Sequence, residues 1–170
     1  MQKNKLKNQA GFTLFEIIIY VAIMAMIVTS FVTFSISISN VKVKVFVVQE
    51  VNSNIRNALD LIGQKIRVAS AVTAPLSGAN GSTLSLNFLS PDPSLTFSLN
   101  NGVLYLTPAS SSAVAITNAD VNITNLKFYN LAANGRNDSI EIFITAEYRN
   151  KSSREYTYSN SIETTVNIRN

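Results

Sequence analysis

The 170-residue chain contains no cysteine and no histidine. The absence of cysteine excludes a thiolate nucleophile, a thiolate zinc site and a disulfide framework. The absence of histidine removes the imidazole base of the usual Ser-His-Asp triads, and with both missing only carboxylate metal sites remain. An enzyme would have to work with Ser, Lys, Asp and Glu. Because these residues form no Ser–Lys motif, no Gly-rich phosphate loop and no EF-hand spacing, we expect a protein that is not an enzyme, binds no cofactor and has no metal site.

Charged residues are also scarce, because they make up 14% of the chain against roughly 25% of an average soluble domain. Part of the deficit lies in residues 17–41, a run of 25 uncharged residues. As a helix this run would be about 37 Å long, and a bilayer core is about 30 Å thick. The run therefore predicts one membrane span. Residues 42–170 carry 20 charges, and there Asn, Ser and Thr supply much of the polarity.

A short basic segment precedes the apolar run and contains Lys3, Lys5 and Lys7. Basic residues before a span favour a cytoplasmic N-terminus, although Lys42 and Lys44 beyond its other end weaken that inference. A cleaved secretory signal is the ordinary alternative, but its apolar region usually spans about 7–15 residues. The net charge of +4 is too small to indicate a nucleic-acid partner, so none is expected.

After the span, apolar residues recur at helical spacing. Steps of three and four residues place them on one face of a helix. The sequence predicts a single helix from about Thr13 to Ala71, with a membrane half over residues 12–40 and an amphipathic half over residues 41–74. Two helices with a break near residues 35–40 are the alternative. The apolar face comprises Val48, Val51, Ile55, Leu59, Ile62, Ile66 and Ala69, extended backwards by Val41 and Val45.

Residues 75–170 have the alternating pattern of β-strands. Asn101-Gly102 joins two alternating segments and is a preferred type I′ hairpin turn. With these two residues at its centre, Leu99 lies opposite Leu104, and Phe97 lies opposite Leu106.

Two further strand patterns follow this hairpin. Residues 121–128 alternate with a single slip near Thr124, and residues 140–148 and 156–168 predict a long antiparallel hairpin. The predicted fold class is α+β, with a long N-terminal helix packed on an antiparallel β-sheet.

The most specific signal lies where the apolar run begins, in Gly-Phe-Thr-Leu-Phe-Glu at residues 11–16. This segment, behind a short Lys-rich leader, resembles the N-terminus of type IV pilins and type II secretion pseudopilins. The resemblance implies that a prepilin peptidase removes residues 1–11, cutting between Gly11 and Phe12, and that the new terminal amine of Phe12 is methylated. It also implies a pilin-like fold.

Glu16 is the one charge between Asn8 and Val41. A carboxylate at a helix centre in lipid costs roughly 2.5–3.5 kcal/mol on insertion scales, and near a helix end it still favours a partner. The amine of Phe12, in the same or a neighbouring subunit, would be such a partner. In the resembled family this glutamate pairs with a neighbour's terminus during filament assembly. An interfacial glutamate exposed to lipid head groups is the alternative.

Residues 55–70 are similar to minor pseudopilins of the J type and to PilW-like minor pilins. Many major pilins have proline where this chain has Thr33, which favours a minor subunit that acts in filament initiation or at the tip. The resemblance implies prepilin peptidase, other pilin or pseudopilin subunits, an inner-membrane assembly platform and, before assembly, membrane lipid as partners. The chain would be a single-pass inner-membrane protein with a cytoplasmic N-terminus and an extracytoplasmic domain before it enters a pilus or pseudopilus.

Other interpretations stay open at this point. The main alternative is an unprocessed, single-pass membrane-anchored binding domain. A membrane-tethered hydrolase with a Ser–Lys dyad is disfavoured, because no motif of that kind surrounds any Ser or Lys. Asp92, Asp120 and Asp138 have oxygen ligands suited to calcium, but we interpret them as solvated turn residues. The choice among secretion, pilus and DNA-uptake systems is open.

Overall fold

The computed structural model describes residues 11–89, 93–132, 139–150 and 156–169. The chain forms two compact units, one ending at Lys42 and the other beginning at Val43. One helix and nine strands are found in the described residues. They are α1 (Leu14–Val68), β1 (Ala71–Ala74), β2 (Asn80–Gly81), β3 (Leu84–Asn87), β4 (Ser94–Asn100), β5 (Val103–Pro108), β6 (Val114–Ala115), β7 (Val121–Asn130), β8 (Ser139–Tyr148) and β9 (Ser159–Asn167).

The first unit consists, in its described part, of the apolar start of α1. The helix continues without interruption through residues 35–40, so the predicted alternative of a break there is wrong. Ser37 and Ser39 lie in this stretch, and each hydroxyl donates to the carbonyl four residues earlier, at 2.9 and 3.1 Å. These bonds satisfy the hydroxyls within the helix, so the serines do not divert the backbone from helical geometry.

The second unit contains two antiparallel sheets rather than one. A five-stranded sheet has the order β1-β3-β4-β5-β6, and a four-stranded sheet has the order β2-β7-β8-β9. The Ile123 amide donates to the Gly102 carbonyl at 2.8 Å, which joins β7 to the turn between β4 and β5. The α+β class, with a long N-terminal helix on antiparallel sheets, is confirmed.

The core of this unit lies between one face of α1 and the two sheets. From the helix it takes Val47, Val51, Ile55, Ala58, Ile62 and Ile66. From the sheets it takes, among others, Leu84, Leu86, Phe97, Leu104, Phe128, Ile140, Ile142 and Ile144, all 0% exposed. Alternate residues of β8 are buried along its whole length, which is the pattern of a strand with one face on a core.

The predicted apolar face is confirmed at Val51, Ile55, Ile62 and Ile66, which are all buried, but it starts at other residues than predicted. Val41 and Val45 are exposed, and the buried face instead begins with Val43, half-buried, and Val47. Valine or phenylalanine occupies most positions from 41 to 48, so apolar spacing alone does not fix the phase of the helix there. The prediction for Val41 and Val45 is therefore wrong.

The helix also ends earlier than predicted, at Val68 rather than near Ala71. The Ser70 amide and hydroxyl both donate to the Asn87 carbonyl, at 2.8 and 2.9 Å. These bonds start the pairing of β1 with β3, so residues 71–74, assigned to the helix from sequence, form a strand.

The predicted hairpin over β4 and β5 is confirmed in its register. Leu99 pairs with Leu104 and Phe97 with Leu106, and both turn residues have positive φ, 49° at Asn101 and 74° at Gly102. Positive φ at both central positions defines a type I′ turn.

The other two strand predictions are confirmed as well. The pairing of β7 with β8 shifts register between Ile123 and Asn125, which is the slip expected near Thr124. Strands β8 and β9 pair antiparallel from Ser139–Asn167 to Glu147–Ser159, as the long terminal hairpin required.

Candidate processing and assembly site

The candidate site begins at the N-terminal cap of α1. Thr13 immediately precedes the helix, and its hydroxyl accepts the Glu16 amide at 3.2 Å. Its carbonyl accepts the Ile17 amide at 3.3 Å. A threonine followed three residues later by a glutamate is the capping-box spacing, so the local sequence itself starts the helix here.

Glu16 does not complete the reciprocal bond of a capping box in this structure. Its Oε1 instead accepts the hydroxyl of Tyr20 at 3.1 Å. The Tyr20 ring also contacts Phe12 edge-to-face, with ring centroids 6.5 Å apart. Phe12, Glu16 and Tyr20 therefore form a connected set at intervals of four residues.

The two residues flanking the predicted cleavage point are accessible. Phe12 is 72% exposed, and Gly11 is exposed with no heavy atom within 4 Å of an added Cβ. An enzyme that cuts this bond would meet no folded obstruction in the described residues. The leader charges Lys3, Lys5 and Lys7 lie outside the described residues.

The helix that follows presents apolar side chains to its surroundings. Its most apolar 18-residue window has a mean hydropathy of 2.5 and is 0% buried. The core helix of a soluble protein with such a window would be mostly buried, which this one is not. An N-terminal signal sequence would pass the same test of length and composition.

Hydroxyl groups within this apolar segment have partners inside the helix. Thr29, Ser30 and Thr33 each donate to the carbonyl four residues earlier, at 2.8 to 2.9 Å. An unpaired hydroxyl in an apolar medium is costly, so these bonds make the segment compatible with lipid or with a packed filament interior.

In the second unit a polar network fixes a loop to α1. The Asn118 amide donates to Asn54 Oδ1 at 3.0 Å, and its side-chain Nδ2 donates to Glu50 Oε1. Its Oδ1 accepts the amides of Asp120 and Val121, both at 3.2 Å. Asn118 therefore both caps the loop and anchors it to the helix.

Two carboxyl groups meet on the outer surface of the four-stranded sheet. A side-chain hydrogen bond to Glu163 raises the pKa of Glu141 above its ordinary value of 4.5, and desolvation and the charge of Glu163 act in the same direction. Two acids alone do not make a metal site, and no group of three or more Asp, Glu, His or Cys that could bind a metal occurs in the described residues. Asp120 is in a loop, and Asp92 and Asp138 lie outside the described residues.

Gly11, Phe12 and Glu16 are predicted site residues, whereas the contacts of Thr13 and Tyr20 with Glu16 were not predicted from the sequence. Two signals pointed to them. Thr13 stands at capping-box spacing from Glu16, and Tyr20 follows Glu16 by four residues, the spacing at which helical side chains meet.

The comparisons with known proteins bear on this same segment. Residues 6–32 match the family model described as the prokaryotic N-terminal methylation motif. No curated protein and no solved structure shows a significant match to the chain. The matched segment contains Gly11, Phe12, Thr13, Glu16 and Tyr20, and it indicates a substrate of prepilin-type processing. The N-terminal segment of this chain is therefore a type IV pilin-like methylation signal on a helix apolar enough to cross a membrane.

Proposed function

We propose that the protein is a minor pilin or pseudopilin, a structural subunit of a type IV pilus or type II secretion pseudopilus. Prepilin peptidase would cut it after Gly11 and the Phe12 amine would be methylated. The subunit would then leave the inner membrane and take part in filament initiation or lie at the tip. Its role would be structural rather than catalytic.

The observation that carries this proposal is the coincidence of the methylation motif with an unburied apolar helix. The motif covers residues 6–32, and the most apolar window of α1 is 0% buried. Large contiguous apolar surfaces mark membrane or protein interaction sites. Lipid would cover this surface before assembly, and the helices of other subunits would cover it in the filament.

Glu16 supports assembly rather than simple anchoring. A membrane anchor gains nothing from a carboxylate in its apolar segment, because a charge there carries an insertion cost. A filament subunit with a free amine at Phe12 supplies an ammonium group to a neighbour. Pairing Glu16 with that ammonium group would offset the cost and would set the axial position of adjacent subunits.

Charge and composition support a minor subunit packed among similar ones. Loss of the leader removes three lysines and leaves 11 basic and 10 acidic residues. Such a near-neutral mature chain has little long-range repulsion from its neighbours. The chain also has Thr33 where many major pilins have proline, and it lacks the cysteine pair of many major type IV pilins. Residues 55–70 resemble J-type pseudopilins and PilW-like minor pilins.

In this proposal the N-terminus starts in the cytoplasm and the second unit is extracytoplasmic. The partners are prepilin peptidase, other pilin or pseudopilin subunits and an inner-membrane assembly platform. The domain ranges of this proposal are leader 1–11, membrane or filament-core half 12–40, amphipathic half 41–68 and β-domain 71–170.

The test of the minor role is the stoichiometry of filaments sheared from cells that produce the full chain. A subunit of the tip or initiation complex is expected at a few copies per filament by quantitative mass spectrometry. Its deletion should lower the number of filaments more than their mean length. A copy number equal to that of the shaft subunit would contradict the minor role. A chain found only in the membrane, still carrying residues 1–11, would favour the unprocessed anchored domain.

A further inference from the structure

Tyr20 is the residue that contacts both members of the proposed processing and assembly pair. Its hydroxyl donates to Glu16 Oε1 at 3.1 Å, and its ring lies edge-to-face with Phe12 at a centroid distance of 6.5 Å and an angle of 71°. One side chain thus fixes both the ring of the residue that would become the N-terminus and the carboxylate that would bind an amine.

We propose that Tyr20 is a positioning residue for Glu16, one that holds its carboxylate with one oxygen occupied and the other free for the amine of a neighbouring subunit. This inference rests on the proposed function.

The chemistry of the carboxylate supports this division of its oxygens. An ionised carboxylate accepts at two oxygens, and the Tyr20 hydroxyl takes Oε1. The Thr13 hydroxyl already caps the Glu16 amide at 3.2 Å, so the backbone and the side chain of Glu16 are both held. Oε2 is left as the acceptor for an ammonium group.

The apolar surroundings increase the stabilising effect of the Tyr20 hydroxyl on the Glu16 carboxylate. Tyr20 and the side chains around it lie in the segment that would be in lipid, where a carboxylate without a donor is costly. The Tyr20 hydroxyl supplies a donor before assembly, when no neighbouring amine is present. Because the side chain is already oriented, less conformational entropy is lost when the intersubunit pair forms.

The contact with Phe12 gives Tyr20 a second role, which is to orient the Phe12 ring. Edge-to-face aromatic pairs favour a defined ring orientation. By holding the Phe12 ring against the helix, Tyr20 restricts where the new terminal amine can lie. The amine can then occupy fewer positions around the end of the helix.

The decisive variants are Tyr20→Phe, which keeps the ring and removes the hydroxyl, and Glu16→Gln, which removes the charge. Tyr105→Phe in β5 is the matched control for loss of a tyrosine hydroxyl. The first measurement is the infrared carboxylate stretch of the full chain in phosphatidylcholine–phosphatidylglycerol vesicles. Tyr20→Phe should shift a carboxylate band that Glu16→Gln abolishes, and Tyr105→Phe should leave that band unchanged.

The second measurement is the fraction of the chain recovered in sheared filaments. Loss of a hydrogen bond to a charged group should lower that fraction about tenfold in Tyr20→Phe. The same substitution should have no further effect in the Glu16→Gln background, since residues that act through one another are not additive. Independent effects of the two substitutions would overturn the inference, as would an unshifted band.

The two proposals fail in different ways. If the carboxylate band shifts in Tyr20→Phe but the leader is never removed, the proposed filament function is contradicted, whereas the contact between Tyr20 and Glu16 is not. Normal cleavage and methylation of Tyr20→Phe, with an unshifted band and a normal filament fraction, would overturn the role of Tyr20 and leave the filament function standing.

Discussion

The backbone of Gly102 lies directly against the side chain of Asn122. A Cβ added to Gly102 would lie 1.8 Å from Asn122 Oδ1, far inside van der Waals contact. The same glycine has a φ of 74°, and its carbonyl accepts the Ile123 amide at 2.8 Å. The turn of the first sheet is thus held against β7 of the second by a residue that has no side chain.

Gly102→Ala is expected to destabilise the second unit, because the added Cβ would displace the Asn122 side chain, whose Nδ2 donates to Glu147 Oε1 at 3.1 Å. Gly78 provides a matched control, because it has the same φ of 74° and no heavy atom of the described residues lies within 4 Å of an added Cβ. Gly78→Ala should cost only the left-handed backbone strain, about 1 kcal/mol, while Gly102→Ala should cost about 1 kcal/mol more through the displaced Asn122 hydrogen bond. Thermal unfolding of the full chain in detergent micelles measures both. Equal costs at the two positions would show that the Asn122 contact is unimportant.

Gly63→Ala should stabilise the second unit, in contrast to Gly102→Ala. Gly63 lies inside α1, and beyond its own helix backbone the one described atom within 4 Å of an added Cβ is Val166 Cγ2 at 3.6 Å, an ordinary contact. Alanine is favoured over glycine in a helix interior by about 1 kcal/mol, so the variant should unfold at a higher temperature than the natural chain. A lower unfolding temperature would mean that the helix cannot accept even this contact with β9.

The pair formed by Glu141 and Glu163 should make stability depend on pH. The folded state raises the pKa of Glu141, chiefly through its hydrogen bond to Glu163. Its contribution to stability is therefore fully present below the ordinary pKa of 4.5 and is lost as the pH rises through the raised value.

Glu141→Gln should accordingly raise the unfolding temperature at pH 7 and have little effect at pH values below the ordinary pKa. Glu163→Gln should do the same, and the double variant should add little to either single one. Both residues are on the surface, so the expected effect is small. A Glu141→Gln advantage that is equal at acidic and neutral pH would contradict the carboxyl pair as its origin.

Asn118→Ala should release the loop before β7. It removes the donor to Glu50 and the acceptor for the Asp120 and Val121 amides. Each hydrogen bond contributes about 1 kcal/mol net to stability, and Asn118 is exposed. A loss of about 1–2 kcal/mol in the free energy of unfolding is therefore expected. Asn57→Ala is the control, because the hydrogen bond of its side chain to the described residues stays within its own helix, to Ser53 at 3.5 Å. Hydrogen exchange should show faster exchange at Asp120 and Val121 in Asn118→Ala alone.

Local chemistry explains which parts of the fold are predictable from the sequence. Asn101-Gly102 fixes the β4–β5 register because few residues adopt positive φ at two successive positions. The slip near Thr124 predicts the bulge in β7 because one extra residue reverses the alternation of side chains.

Other parts depend on long-range partners that the sequence does not show. The helix ends at Val68 because Ser70 bonds to the carbonyl of Asn87, and nothing local marks that partner. Strands β6 and β2 are two-residue edge strands of the two sheets. They are too short to carry an alternating pattern, so the sequence does not show where one sheet ends and the other begins. The contact of Tyr20 with Glu16 depends on side-chain rotamers, although their spacing permits it.

The state of the N-terminus distinguishes a processed filament subunit from an unprocessed membrane-anchored domain. The decisive measurement is the intact mass of the full chain purified from membranes after co-expression with a prepilin peptidase, with Gly11→Ala as the matched control. We expect the natural chain to lose residues 1–11 and to gain one methyl group on Phe12, and Gly11→Ala to keep its leader. A natural chain that retains all 170 residues without methylation in the presence of active peptidase would contradict the account.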